Sequence, residues 1–113
     1  MPKNLAVVIR EDPRASHRPV EALRIALGLA AGSHNITVVL LGEAVRLLSE
    51  DSDDIVDVEI LEKYLPSLEH LEIPFLLQHD RPRLELRTGF KTHDETDERI
   101  HQFVRSVDSA LVF

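Results

Sequence analysis

Residues 35–48 read NITVVLLGEAVRLL, and two different patterns meet at Gly42 inside this segment. From Ile36 to Leu41 the segment is apolar except for Thr37, and four of its six residues are β-branched. A short run of this kind is typical of a strand that is buried on both faces. After Gly42 the apolar residues fall near one side of a short helix, and they are Ala44, Val45, Leu47 and Leu48. The segment therefore predicts a buried strand that leads through a glycine turn into a helix.

The rest of the chain repeats this alternation of strands and helices. We predict further strands at residues 5–9, 74–78, 84–87 and 110–113, of which 84–87 is a short edge strand. We predict helices that begin near residues 16–18, near residue 58 and near residue 92.

The last of these helices follows a capping-box match, Thr92-His-Asp-Glu95, and should bury Ile100, Phe103 and Val104. The middle helix should either end near Tyr64 or kink at Pro66. The alternation predicts an α/β fold: a three-layer α/β/α sandwich with a mostly parallel sheet of about five strands.

Length and composition limit the classes of protein. The 113 residues predict one domain, residues 1–113. The chain contains no cysteine, which excludes disulfides, thiolate nucleophiles, persulfide carriers and thiolate metal sites. No apolar run approaches the roughly 20 residues of a membrane helix, and the first strand begins too early for a signal peptide. We therefore expect a cytoplasmic protein that has no membrane partner.

The net charge of −7 is concentrated in residues 50–72, which hold nine acidic residues and one lysine. A surface of this charge repels nucleic acid, so we do not expect nucleic acid as a partner. The segment either docks a basic partner or forms a solvated face that keeps the protein soluble.

The whole pattern resembles the DsrE/DsrF-like family, in particular its DsrF/TusC-type members. The resemblance is carried by LAVVIR at residues 5–10, EALRIALGLA at residues 21–30 and ITVVLLGEAVRLL at residues 36–48. The closing SALVF, residues 109–113, is also similar to the C-terminal strand of the family. The resemblance thus covers nearly the whole chain.

The resemblance implies a homo-oligomer, a trimer or hexamer, with related subunits as further partners. Catalytic members of the family carry sulfur as a persulfide on a cysteine shortly after the third strand, and they pass it on in sulfur relay. The matching positions here are Gln78-His-Asp-Arg81, which contain no cysteine. This difference contradicts a persulfide sulfurtransferase role for the chain by itself. What remains is a non-catalytic subunit or a small-ligand-binding protein in sulfur relay or sulfur metabolism.

Polar side chains follow three of the predicted strands, at the point where each strand ends. If the strands are parallel, these side chains meet on one rim of the sheet. The candidate ligand-binding residues are Arg10, Asp12, Glu43, His79, Asp80 and Arg81. The arginines suit a small anionic ligand, and His79 as acid/base gives the alternative of an enzyme of unknown reaction. The same residues also fit a solvated rim, with the arginines paired to neighbouring acids.

The sequence lacks the motifs typical of metal sites, nucleotide-binding sites and serine nucleophiles. The six histidines are scattered without an HxxxH pair, so we expect no metal. Neither a GxGxxG motif nor a P-loop is present, so we expect no nucleotide cofactor. Ser16 lies at the start of the first helix, where it fits a cap better than a nucleophile, and we assign no catalytic residue.

Overall fold

The computed structural model describes residues 2–113, which form one five-stranded sheet flanked by helices. The elements are β1 Asn4–Ile9, α1 Arg18–Ala31, β2 Asn35–Leu40, the 3-10 helix Gly42–Leu48, α2 Val58–His70, β3 Phe75–Gln78, β4 Thr92–Glu95, α3 Asp97–Ser106 and β5 Ser109–Val112. Within that range no helix is long and apolar enough to cross a membrane.

All neighbouring strands of the sheet are parallel, in the order β4-β3-β2-β1-β5. The two central strands, β1 and β2, pair along their whole length, from Asn4 opposite Asn35 to Ile9 opposite Leu40. Because every strand runs in the same direction, all five carboxyl ends lie at one edge of the sheet, which we call the carboxyl edge.

The sheet separates two apolar cores, which confirms the predicted three-layer sandwich. On one face α1, α2 and the 3-10 helix pack on the sheet, with Leu23, Leu61 and Phe75 fully buried. On the other face α3 packs alone, and its buried Ile100 contacts a small cluster with Ala6. Phe103 and Val104 of α3 also pack on this cluster, as the sequence predicts.

The prediction that the last helix begins near Thr92 is wrong, because a short strand precedes the helix. Residues 92–95 form the edge strand β4, whose register places Thr92 opposite Phe75 and Glu95 opposite Gln78. The helix begins only at Asp97, and the Thr96 side chain caps it by accepting a hydrogen bond from the Arg99 amide at 3.3 Å. An edge strand with an exposed side needs few apolar residues, so its polar sequence resembles a helix cap.

Residues 84–87 do not form an edge strand of the sheet. Instead they run antiparallel to the end of the 3-10 helix, where Leu86 bridges Ser49. The Arg87 amide donates to the Leu48 carbonyl at 2.8 Å, and the Glu50 amide donates to the Glu85 carbonyl at 3.0 Å. The alternation of apolar and charged residues reflects packing of Leu84 and Leu86 on the larger core rather than pairing in the sheet.

Helix α2 continues through Pro66 instead of ending near Tyr64. Leu65 and Leu68 are buried on either side of the proline, so packing against the core holds both turns. Pro66 has no amide N–H, so it cannot donate the hydrogen bond that would continue the helix. Because Pro66 is exposed, the backbone carbonyl that lacks this bond lies close to water.

Candidate functional site

The carboxyl edge brings the ends of the strands into one row. Following the sheet order, the row contains Thr96 after β4, His79 after β3, Leu41 and Gly42 after β2, and Arg10 after β1. The candidate residues Arg10, Glu43 and His79 thus lie at the same edge of the sheet, in separate groups.

Asp12 and Glu43 belong to one group, in which arginines bind both carboxylates. Arg14 bonds Asp12 at 2.8 Å and lies 3.6 Å from Glu43, and Arg46 binds Glu43 from within the 3-10 helix. The hydrogen bond from Arg14 holds the pKa of the Asp12 carboxyl below its ordinary value. Both acids are therefore already engaged by Arg14 and Arg46, two residues that the sequence prediction did not include.

Arg10 is exposed beside this group. Its backbone amide donates to the Phe113 carbonyl at 2.8 Å, which fixes the root of the side chain beside the end of β5. Its guanidinium forms no ion pair with any residue in the range 2–113. The neighbouring Glu11 is instead bound by Arg18 at 2.9 Å.

The three candidates that follow β3 differ in their surroundings. The Arg81 guanidinium is nearly buried and bonds both Asp94 and the Gln78 carbonyl at 3.1 Å, so it holds the loop. Asp80 is exposed, and among the described residues its side chain has no partner. His79 is also exposed; its carbonyl accepts from Arg83, and its imidazole forms no hydrogen bond with the part of the chain that the structure describes. No carboxylate of the described residues bonds the imidazole to orient it, and an acid/base role for His79 stays a prediction.

Gln78, the last residue of β3, links the groups of the carboxyl edge. Its Oε1 accepts from the Gly42 amide at 2.8 Å, and its Nε2 donates to Asp97 at 2.7 Å. Gly42 turns here with φ of +54°, a conformation that suits glycine. Sequence reasoning did not select Gln78, although a polar residue closing the apolar run of residues 74–77 is a signal.

A depression of about 200 Å³ opens at the carboxyl edge beside the first turn of α3. We call it the Arg99 depression, and it is lined by His79, Asp94, Glu95, Thr96 and Arg99. Arg99 has no ion pair within residues 2–113. No three His, Asp or Glu side chains of the described chain are grouped to hold a metal ion, here or elsewhere.

A second depression, of about 380 Å³, adjoins the first and shares Glu95 and Arg99 with it. Leu76 and Phe103 give this part an apolar floor. Together the two depressions place a guanidinium between a polar recess and an apolar groove. Sequence reasoning missed Thr96 and Arg99 because it began the helix at Thr92.

The architecture has a counterpart among solved structures. The YchN protein from E. coli, which has a DsrE/DsrF/TusC-like fold, matches 100% of this chain and 100% of its own with a TM-score of 0.75 and 20% sequence identity. At this identity the likeness concerns the fold, and it confirms the expected DsrE/DsrF-like fold. No family model matches the sequence, and neither does any curated protein.

Proposed function

We propose that this chain, with its DsrE/DsrF-like fold, is a non-catalytic subunit that binds a small anion in the Arg99 depression. It works as a cytoplasmic homo-oligomer in sulfur relay or sulfur metabolism. The observation that carries the proposal is the concave recess at the carboxyl edge. Its one lining arginine, Arg99, has no ion pair among the described residues. In parallel α/β sheets this edge is the usual place for ligands.

The non-catalytic part of the proposal follows from the residues after β3. The segment Gln78-His-Asp-Arg81 stands where related catalytic proteins are expected to carry cysteine, and the whole chain has none. The Gln78 side chain is engaged by Gly42 and Asp97, and Arg81 by Asp94. This segment therefore shapes the edge and offers no thiolate for sulfur transfer.

The anionic ligand follows from the charges that line the Arg99 depression. Arg99 can donate two parallel hydrogen bonds to a carboxylate, sulfonate or thiosulfate group. Asp94 is neutralised by Arg81 at 3.1 Å, so it repels an anion only weakly. The amino end of α3 adds a favourable dipole, which Asp97 and Glu98 in the first turn of that helix partly offset. Glu95 is the remaining negative group, so a compact ligand that reaches Arg99 and His79 fits better than a large polyanion.

The ligand site is tested by titrating the ¹⁵N-labelled chain with thiosulfate, sulfate and acetate while recording amide chemical shifts. We expect shifts that saturate and map to His79, Thr96 and Arg99. The variant Arg99→Gln should abolish them, because it removes the charge and keeps a similar length. The matched control is Arg105→Gln, since Arg105 is exposed on the same helix outside the depression. Saturable shifts that survive in Arg99→Gln would contradict the proposed site.

The homo-oligomer, a trimer or hexamer with related subunits as further partners, is proposed from apolar side chains at the surface. Ile60, Leu71, Leu111 and Val112 are large apolar residues that stay exposed in the single chain. Contact between copies would remove such surface from water. Light scattering should give the mass of several chains at micromolar concentration, and a clean monomer mass would contradict this part of the proposal.

A further inference from the structure

The two outer strands of the sheet, β4 and β5, differ in how well they are protected against pairing with another strand. The β4 edge reads Thr92-His-Asp-Glu95, and its charges discourage association. The β5 edge reads Ser109-Ala-Leu-Val112 and carries no charge. Leu111 and Val112, on opposite faces of β5, are 38% and 49% exposed. An uncharged edge strand with exposed apolar residues is open to a further strand.

The backbone bonding of β5 indicates which groups a further strand would meet. Phe113 donates to Val8 and accepts from Arg10, both at 2.8 Å, so its backbone faces β1. Because alternate residues of a strand bond to the same neighbour, Leu111 and Ser109 face β1 as well. The backbone groups of Ala110 and Val112 then point outward, where they have no partner among the described residues.

We infer that β5 pairs antiparallel with β5 of a second copy of this chain, across a two-fold axis at Leu111. This register sets Ala110 opposite Val112 of the other copy and allows about four backbone hydrogen bonds, the most that two outward residues can make. Leu111 then faces its own copy in a non-hydrogen-bonded pair, with Cα atoms about 4.5 Å apart and side chains in contact. This single contact would bring both exposed apolar residues of β5, Leu111 and Val112, against the second copy.

Charges at the two ends of β5 favour a second copy over another partner. Asp108 precedes the strand and is exposed; its carboxylate accepts from the Asn4 amide at 2.7 Å but forms no ion pair within residues 2–113. Arg10 lies beside the far end of the strand, is exposed and also has no ion pair within this range. An antiparallel two-fold contact brings Asp108 of each copy towards Arg10 of the other, so opposite charges meet twice. The contact is closed, because each β5 edge is used once. Combined with a three-fold contact, it would build a hexamer.

Single cysteines test the inference, since the natural chain has none and any disulfide must join two copies. Under mild oxidation Leu111→Cys should form a covalent dimer at least roughly tenfold faster than the other variants, because the facing Cα atoms lie within disulfide range. Ala110→Cys is the register control, displaced from its own copy by two residues. Thr92→Cys is the control for the opposite edge. Equal rates for the three variants would overturn the pairing.

A charge at the axis gives a second, non-covalent readout. Leu111→Lys should halve the mass measured by light scattering, because two lysines would face each other, whereas Thr92→Lys should keep the wild-type mass. Leu111 is partly exposed, so circular dichroism should show that Leu111→Lys remains folded. The inference rests on the proposed self-association. An oligomer in which Leu111→Cys fails to crosslink would overturn the β5 pairing alone, and a monomer would overturn both.

Discussion

Replacing Gln78 with alanine removes a side chain that joins β3 to the Gly42 turn and to the first turn of α3. Its Oε1 accepts from the partly buried Gly42 amide at 2.8 Å, and its Nε2 donates to Asp97 at 2.7 Å near the surface. Gln78→Ala leaves the amide with water as its alternative acceptor. We expect this to destabilise the fold, because the turn loses its partner without gaining another from the chain.

The expected loss can be worked from the two bonds. A fully buried donor left without a partner costs about 1–3 kcal/mol, and water reaching a partly buried amide reduces this. The bond to Asp97 is exposed and adds roughly 0.5 kcal/mol. We therefore expect Gln78→Ala to lower the free energy of unfolding by about 1–2 kcal/mol. For a domain of this size that corresponds to a fall in Tm of roughly 4–8 °C.

Urea unfolding followed by circular dichroism measures this loss. The matched control is Gln102→Ala, since Gln102 is exposed on α3 and its side chain bonds no described residue. Gln78→Glu separates the two bonds: it keeps an acceptor for Gly42 but opposes Asp97 with a second carboxylate. If Gln78→Ala were within about 0.3 kcal/mol of Gln102→Ala, the size expected of ordinary surface substitutions, the proposed link would be refuted.

Two further predictions concern the glycines and the acidic limit of stability. Gly42→Ala should cost about 1 kcal/mol because φ is +54°. Gly28→Ala, exposed in the last turn of α1 with nothing within 4 Å, should instead stabilise by about 0.5–1 kcal/mol, and thermal unfolding of both variants checks the contrast. The pKa of Asp12 is lowered in the folded state, so its bond to Arg14 stabilises the fold at pH values above the ordinary carboxyl pKa of about 3.9. This stabilisation is lost as the pH falls through the lower pKa of the folded state. Urea unfolding from pH 7 into this acid range should therefore show Asp12→Asn less stable than wild type at neutral pH, with the difference shrinking in acid; a constant difference would refute the assignment.

Burial explains which strands the sequence could reveal. β1, β2 and β3 lie inside the sheet, and runs such as residues 36–41 are apolar because helices cover the central strands on both faces. β4 lies at the edge, where His93 and Asp94 are exposed, so hydrophobic patterning could not reveal it. Thr92 and Glu95 also match the spacing of a capping box, and only the pairing with β3 separates the two interpretations.

The candidate site was predictable in position but not in pairing. Parallel strands place Arg10, Glu43 and His79 at one edge, and this follows from the order of elements alone. Which arginine meets which acid depends on loop conformation: Arg81 turns to Asp94 on a neighbouring strand, and Glu43 is bound by Arg46 one turn away. Arg99 was hidden because its place in the first turn of α3 depends on the true start of that helix.

Anion binding in the Arg99 depression is tested most directly by anomalous diffraction from crystals of the wild-type chain soaked with selenate, a sulfate analogue whose selenium can be located. We expect a selenium peak inside the depression, placed so that selenate oxygens lie within hydrogen-bond distance of the Arg99 guanidinium and near His79, and we expect its loss in crystals of Arg99→Gln. Selenate bound at other surface arginines, with no peak in the depression, would contradict the proposed site.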